Sequence, residues 1–249
     1  AYSQEGHLNP FQLCLGYARA AQRQGAEMMA HAAVLGFESA RDGVYVTVSN
    51  GERYFGKSVI VAAGAWSGSL LAQAGLFLPM GFTHAEALIT ERLARSIHHH
   101  VGLVGFYEAV HGSKRTVTLG VGQHRNGTIL VSNAIEAAEQ IDTHSSYWGM
   151  PAIARALADI FPPLATVRVM RTWSAPSPFL PDYLPAIGWL PDAEHMFVAT
   201  GFHLALPTIP VLSEWIADSI LGMEVLGDLG CFSPARFSDS SAVVEGRAR

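Results

Sequence analysis

Val59-Ile60-Val61-Ala62-Ala63-Gly64-Ala65-Trp66-Ser67 is the stretch on which the fold turns. A short apolar strand ends in two alanines and a glycine, followed by an aromatic residue and a serine. Small residues at a strand end let a flat ligand or a second backbone approach closely. A helix starting directly afterwards can hold phosphate or carbonyl groups at its N-terminus. A strand end packed tightly on a helix has the same local pattern. Its meaning comes from its company: Gly6-His7-Leu8-Asn9-Pro10, Arg171-Thr172-Trp173 and Thr200-Gly201-Phe202-His203.

Around this stretch the elements alternate. Asn9-Pro10 is a helix start, with Asn as cap and Pro in the first turn. Phe11, Leu15, Ala18 and Ala21 recur at helical spacing, and Gly25 is the stop. Ala26–Ala33 is expected as a short strand. Val34–Ser39, Gly43–Ser49 and Glu52–Phe55 read as a meander, with Asn50-Gly51 as a hairpin signal. Ser58–Ala63 is a strand and Trp66–Gly75 a helix. From Leu76 to about Val169 the texture changes to strands with little helix, pointing to a separate antiparallel sheet. Thr83–Thr90, Thr116–Val121 and Thr128–Asn133 are its strands, and Ile153–Phe161 is a helix stopped by Pro162-Pro163. A strand-like stretch from Val167 closes at Arg171. Met196–Thr200 is a strand and Pro210–Leu221 a helix. The polar end, Ser238–Arg249, is expected to fray.

Composition narrows the function classes. The chain has 249 residues, of which 49% are hydrophobic, enough for a large core or two smaller ones. Charged residues make up only 15%, against about 25% in ordinary soluble chains. That fits deep burial, or surfaces covered by something else. Net charge is −5 and no Lys/Arg run occurs, which argues against nucleic acid as a partner. Cys14 and Cys231 are too few for a disulfide framework or a thiolate metal site. No apolar stretch reaches the ~18 residues of a membrane span, and no leader pattern opens the chain. Cytoplasmic localisation is the expectation, with membrane association only through partner subunits. The chain opens on Ala1, not methionine, and an upstream portion is expected.

Taken in order, the motifs resemble the FAD-dependent oxidoreductases of the D-amino-acid oxidase and sarcosine/glycine oxidase type. Within that superfamily the chain looks most like the flavin subunits of hydrogen cyanide synthase and opine oxidase. Gly6–Phe11 resembles the family's G-x-V-N-P segment, and Gly25-Ala26 with Val34 its Gly-Ala…Val stretch. Val59–Ser67 resembles the flavin strand V-V-x-A-A-G-A-W-S. Leu88–Glu91 resembles the end of G-Q-x-L-x-T-E, and Gln123 with Gly127–Val131 a hairpin of the family. Arg171-Thr172-Trp173, Pro181-Asp182, Pro185 and Ile187-Gly188 resemble R-x-W…P-D-x-x-P-x-I-G. Ala199–His203 resembles the last flavin loop.

The resemblance implies an α/β fold. Part of a Rossmann-like FAD-binding domain (residues 1–75 and 170–225) would be interrupted by an antiparallel substrate domain (76–169) and followed by a tail (226–249). It implies FAD as cofactor, held by Val34, Ala62, Ala63, Gly64, Trp66, Gly188, Gly201, Phe202, His203, Leu204 and Ala205. The helix after Gly201 would aim its N-terminus at charge growing on the flavin. Arg171, His203 and Tyr183 are the implied catalytic set. Arg171 is a candidate fork for a substrate carboxylate, or a structural residue pairing with a backbone group or an acid. His203 is a candidate hydrogen-bonder of flavin or substrate, or a satisfied core group. Tyr183 would line the pocket or anchor its loop.

No metal site is expected. His98-His99-His100 cannot aim three adjacent rings at one point and lacks the usual ligand spacing. The implied reaction is oxidation of a C–N bond in a small amino acid, N-alkyl glycine or opine to an imine. The implied partners are the amine substrate and other subunits of a heteromer. Two departures from the family stand in the sequence. No G-x-G-x-x-G turn, the family's pyrophosphate cradle, occurs in the chain. Ala175 and Ser177 stand where relatives carry glycine and arginine, and Leu204-Ala205-Leu206-Pro207 alters the last flavin loop. These departures support a second reading: a non-catalytic subunit or remnant that keeps the scaffold as an interaction module.

Overall fold

The computed structural model describes residues 8–104, 114–203 and 206–238. Gly6, His7, Leu204, Ala205 and residues 239–249, on which some sequence expectations fall, lie outside them.

Helix α1 (Pro10–Arg23) starts as the sequence dictates: the Asn9 side chain accepts from the Gln12 N–H at 3.1 Å, with Pro10 in the first turn. None of its residues is buried, and Phe11 is 79% exposed. Strands β1 (Val34–Ala40), β2 (Gly43–Val48) and β3 (Arg53–Gly56) form the meander, antiparallel and in that order. The expected strand over Ala26–Ala33 does not form. The segment is irregular, and no described strand lies beside it to complete a ladder. An extended segment with no pairing partner leaves its backbone to water.

Strand β4 (Val59–Val61) leads through a 3-10 turn (Gly64–Trp66) into helix α2 (Ser67–Ala72), a shorter helix than the sequence expectation. A long antiparallel sheet follows, ordered β6-β7-β8-β5-β9, from β5 (Gly81–Arg92), β6 (Val101–Gly102), β7 (Thr116–Gln123), β8 (Thr128–Ala138) and β9 (Val169–Phe179). Helix α3 (Gly149–Ile160) covers one face, packing on β5, β7 and β8. Leu88, Val121, Ile129 and Val131 from the strands meet Ile153 and Leu157 there.

Strand β9 corrects the sequence reading. Arg171 does not close a strand; it lies near the start of one that runs to Phe179, paired with β5 from Thr90↔Val169 to Gly81↔Phe179. The expected domain division between residues 169 and 170 therefore falls inside a strand of the five-stranded sheet. Pro176 and Pro178 are tolerated within it because β9 is the sheet edge, where a missing N–H costs no ladder bond.

The chain then returns to a small mixed sheet ordered β10-β11-β4. Strand β10 (Ala186–Trp189) is antiparallel to β11 (Met196–Thr200), and β11 is parallel to β4. Every residue of β11 is buried, because both faces are covered. Met196 and Val198 face a core with Val44, Val61, Leu71 and Leu180. Phe197 and Ala199 face Leu212 and Trp215 of helix α4 (Ile209–Leu221). Within the expected tail from residue 226, 3-10 turns at Gly230–Phe232 and Pro234–Phe237 pack against β10, and Pro234 is buried. Among the described residues, no helix is long and apolar enough to cross a membrane.

Candidate active site

Parallel pairing of β4 with β11 (Val61↔Val198) brings their carboxyl ends out side by side. In open α/β sheets such ends are where ligands sit. The two glycine turns that follow are tied together: the Thr200 hydroxyl, fully buried, donates to the Gly64 carbonyl at 3.0 Å. Both glycines are left-handed, with φ of 55° at Gly64 and 75° at Gly201, so each needs the absent side chain. Their surroundings differ. A Cβ on Gly201 would lie 3.0 Å from Leu180 Cδ1, whereas one on Gly64 would meet nothing within 4 Å. Gly64 thus presents bare backbone to open space. Beside it, Val34, Ala62 and Ala63 line an apolar cleft of about 310 Å³ with Phe37 and Leu70. Three residues assigned to the cofactor are thereby brought together from two sheets.

The loop after β11 carries His203, which is only 8% exposed. Its Nδ1 lies 3.2 Å from Ser177 Oγ on β9. Phe179 and Tyr183 stack at 5.0 Å between ring centroids, and the His203 ring stands 6.1 Å from the first and 5.7 Å from the second. Tyr183 is itself left-handed, at φ 58°. The structure therefore unites Tyr183 and His203 beside the glycine turns, together with Ser177 and Phe179. Ser177 had only one sequence signal, its departure from the arginine of relatives. Phe179 had none.

Arg171 is not part of this group. It is exposed and lies on the same face of β9 as Ser177, since alternate residues share a face. Six positions separate them, about 20 Å along an extended strand. Gly188 has a packing reason to be glycine: a Cβ there would lie 2.9 Å from Pro234 Cδ. Phe202 packs among Ile187, Phe197, Ala199 and Leu212. Trp66, 53% exposed, stands next to the open Gly64 turn. Among the described residues no cluster of His, Cys, Asp and Glu is disposed to hold a metal ion.

A second polar cluster occupies the opposite face of the long sheet, under the start of α3. Glu86, 1% exposed, accepts from the Ser146 N–H at 3.1 Å and from the Ser146 hydroxyl. His84 Nε2 donates to the His144 carbonyl at 2.8 Å, and its Nδ1 lies 3.7 Å from Glu86 and 3.9 Å from Glu136. Burial pushes the Glu136 carboxyl up, but hydrogen bonds from Trp148 and Arg115 outweigh it and hold the group below the usual range. This cluster pins the loop before α3 and does not face the glycine turns.

Comparison with known proteins identifies relatives of the chain and of its fold. The chain is 25% identical over 231 residues to glycine oxidase from Bacillus subtilis (strain 168), covering 89% of this chain and 56% of the relative. It is 25% identical over 240 residues to the hydrogen cyanide synthase subunit HcnC of Pseudomonas aeruginosa, covering 95% and 54%. It thus spans about half the length of the curated relatives it matches. The fold matches the crystal structure of glycine oxidase from Geobacillus kaustophilus with a TM-score of 0.78 at 22% identity, covering 90% of this chain and 57% of that one. The sequence profile of the family described as DAO, FAD dependent oxidoreductase, matches residues 1–219, and the chain belongs to that family.

Proposed function

We propose that this chain is the flavin-facing part of an oxidoreductase that oxidises the C–N bond of a small amino acid, N-alkyl glycine or opine. The amine would lose a hydride from carbon and a proton from nitrogen to give an imine, which water then hydrolyses. The observation that carries the reading is the meeting of the Gly64 and Gly201 turns with His203, Ser177 and Tyr183.

The residues present fit the ring end of FAD. A bare, left-handed Gly64 facing open space suits close approach of a flat ring system. The cleft with Ala62 and Ala63 offers apolar walls beside it, and it is also lined by Val34, whose backbone the resemblance sets against the adenine. The pyrophosphate cradle is not in this sequence, so the fit concerns the two ring systems and not the phosphates between them. When bound, FAD supplies the hydride acceptor. The chain's own contribution is orientation and exclusion of water. Phe179 and Tyr183 form an aromatic wall, and the His203–Ser177 pair is the polar group in it. Tyr183 and His203 remain the proposed contacts to substrate. Arg171 is left out of the catalytic group, because its place on β9 separates it from the wall. Relatives that are named as subunits favour a heteromer, with this chain passing electrons to a partner. The proposed setting is the cytoplasm.

The test is anaerobic titration of the protein, purified in its native assembly with FAD, against glycine, sarcosine and octopine. Bleaching of the flavin band by one of them is the expected result. A protein that holds no flavin, or holds it without reduction by any amine, overturns the reading.

A further inference from the structure

Arg236 lies in the stretch where the sequence shows only a tail. Its guanidinium makes a fork with Asp182, Nε to Oδ2 at 2.7 Å and Nη2 to Oδ1 at 3.2 Å. Nη2 also donates to the carbonyls of Leu184 at 3.0 Å and Pro185 at 3.2 Å. Nη1 donates to the carbonyls of Phe232 at 2.7 Å and Ser233 at 2.9 Å. One side chain therefore binds both ends of the turn around Tyr183 and ties it to the C-terminal 3-10 segment. Only a planar, multi-donor cation can do this; a lysine offers one point charge.

The turn needs such a tie. Tyr183 holds a left-handed backbone that a tyrosine rarely adopts, at φ 58°. Local bonds support it: the Tyr183 N–H donates to Leu180 O at 2.8 Å, and the Leu184 N–H to Asp182 Oδ1 at 3.1 Å. The second of these uses the carboxylate that Arg236 holds in place. The result is a fixed Tyr183 ring, stacked on Phe179 and 5.7 Å from His203.

We infer that Arg236 is a positioning residue, which clasps Asp182 and the Leu184 and Pro185 carbonyls and so sets Tyr183 against Phe179 and His203. The inference deepens the functional reading above. It rests on that reading only for the claim that this aromatic wall borders a substrate.

The test reads the wall directly. Protein labelled with carbon-13 in its histidine rings gives a His203 signal shifted by the neighbouring aromatic rings. Tyr183→Leu should move that signal. Arg236→Gln should move it in the same direction. The His84 signal, from the far side of the long sheet, should stay in place as an internal control. Asp182→Asn, which removes the charge and turns one of the two accepting oxygens of the clasp into a donor, serves if Arg236→Gln does not fold. It should produce the same shift, smaller. Arg236→Lys should fall between Arg236→Gln and the unmodified protein.

A His203 signal unmoved in both clasp variants, or His84 moving along with it, overturns the inference. Turnover of sarcosine is measured in parallel, and Arg236→Gln should raise KM several-fold with kcat less affected. If the unmodified protein turns over no amine but the His203 pattern holds, the functional reading fails and the clasp stands.

Discussion

Ser177 Oγ and His203 Nδ1 lie 3.2 Å apart across the joint between the edge of the five-stranded sheet and the loop that leaves the small mixed sheet. The pair links the five-stranded sheet directly to the loop after β11. A double-mutant cycle of Ser177→Ala and His203→Phe, the latter keeping a ring but removing Nδ1, should give a coupling energy of about 1 kcal/mol. Urea unfolding measures it. Strict additivity of the two changes would mean that the contact contributes nothing.

The parts of this site that sequence conveys are local ones. Ala62-Ala63-Gly64 and Thr200-Gly201 each announce a strand ending in a turn that needs no side chain, and both turns are left-handed in the structure. Their tie through the Thr200 hydroxyl was not legible, since 136 positions separate the partners. That strand β9 runs on past Arg171 through Pro176 and Pro178 depends on its being an edge strand. Topology supplies that knowledge, and local pattern does not. The same holds for Arg236, whose partner Asp182 is 54 positions away. For Arg171, the missing information was its place in the fold. Its residue type suits a carboxylate, but its position in a strand is set by register, which one sequence does not display.

Gly64 and Gly201 should respond differently to alanine. Both substitutions force a left-handed alanine, at about 1 kcal/mol each. Gly201→Ala adds a contact of 3.0 Å with Leu180 Cδ1, for about 1 kcal/mol more if Leu180 must shift. Gly64→Ala has no such clash, yet its methyl group would enter the space proposed for the flavin. Thermal unfolding without FAD should therefore rank Gly201→Ala as the less stable. FAD titration should show Gly64→Ala losing about tenfold in affinity, or ~1.4 kcal/mol. Equal stability of the two variants, or unchanged FAD binding by Gly64→Ala, would contradict this assignment.

Four carboxylates are held below their usual range and make the fold sensitive to acid: Glu52, through bonds from Tyr54 and Asn50, and Glu91, Asp142 and Glu136. Hydrogen bonds from the Arg168 side chain and backbone hold Glu91 below its usual range. The backbone N–H and ring of His144 do the same for Asp142. For Glu136, the bonds from Trp148 and Arg115 prevail over burial. A folded-state value below the unfolded one means that the unfolded chain binds protons first as pH falls. Their stabilisation is complete above the ordinary carboxylate values of about 4. It is lost as pH drops through the lower folded-state values. Urea midpoints between about pH 7 and about pH 3 should fall on the acid side, and Glu136→Gln should flatten that fall. A profile with the same acid slope in Glu136→Gln would remove Glu136 from the account.

Glu86 and Gly149 are matched in shape, and this gives the sharpest test of packing in the long sheet. A Cβ on Gly149 would lie 2.3 Å from Glu86 Oε1, so no side chain fits there while the carboxylate is in place. That carboxylate accepts from the Ser146 N–H and hydroxyl, and the same hydroxyl accepts from the Gly149 N–H at 3.0 Å. Gly149→Ala must either push the start of α3 off the sheet or drive Glu86 from its partners, costing about 2–3 kcal/mol. Glu86→Ala removes the clash but leaves the Ser146 donors without their acceptor in a buried place, again about 2–3 kcal/mol. The double variant should be much more stable than the sum of the two. The methyl group at 149 then occupies space that the carboxylate has left, so the clash is no longer counted. Guanidinium unfolding of the two single variants and the double variant measures this directly. Additive losses would mean that α3 already stands off from Glu86, and that the start of the helix is not seated on the sheet as the geometry has it.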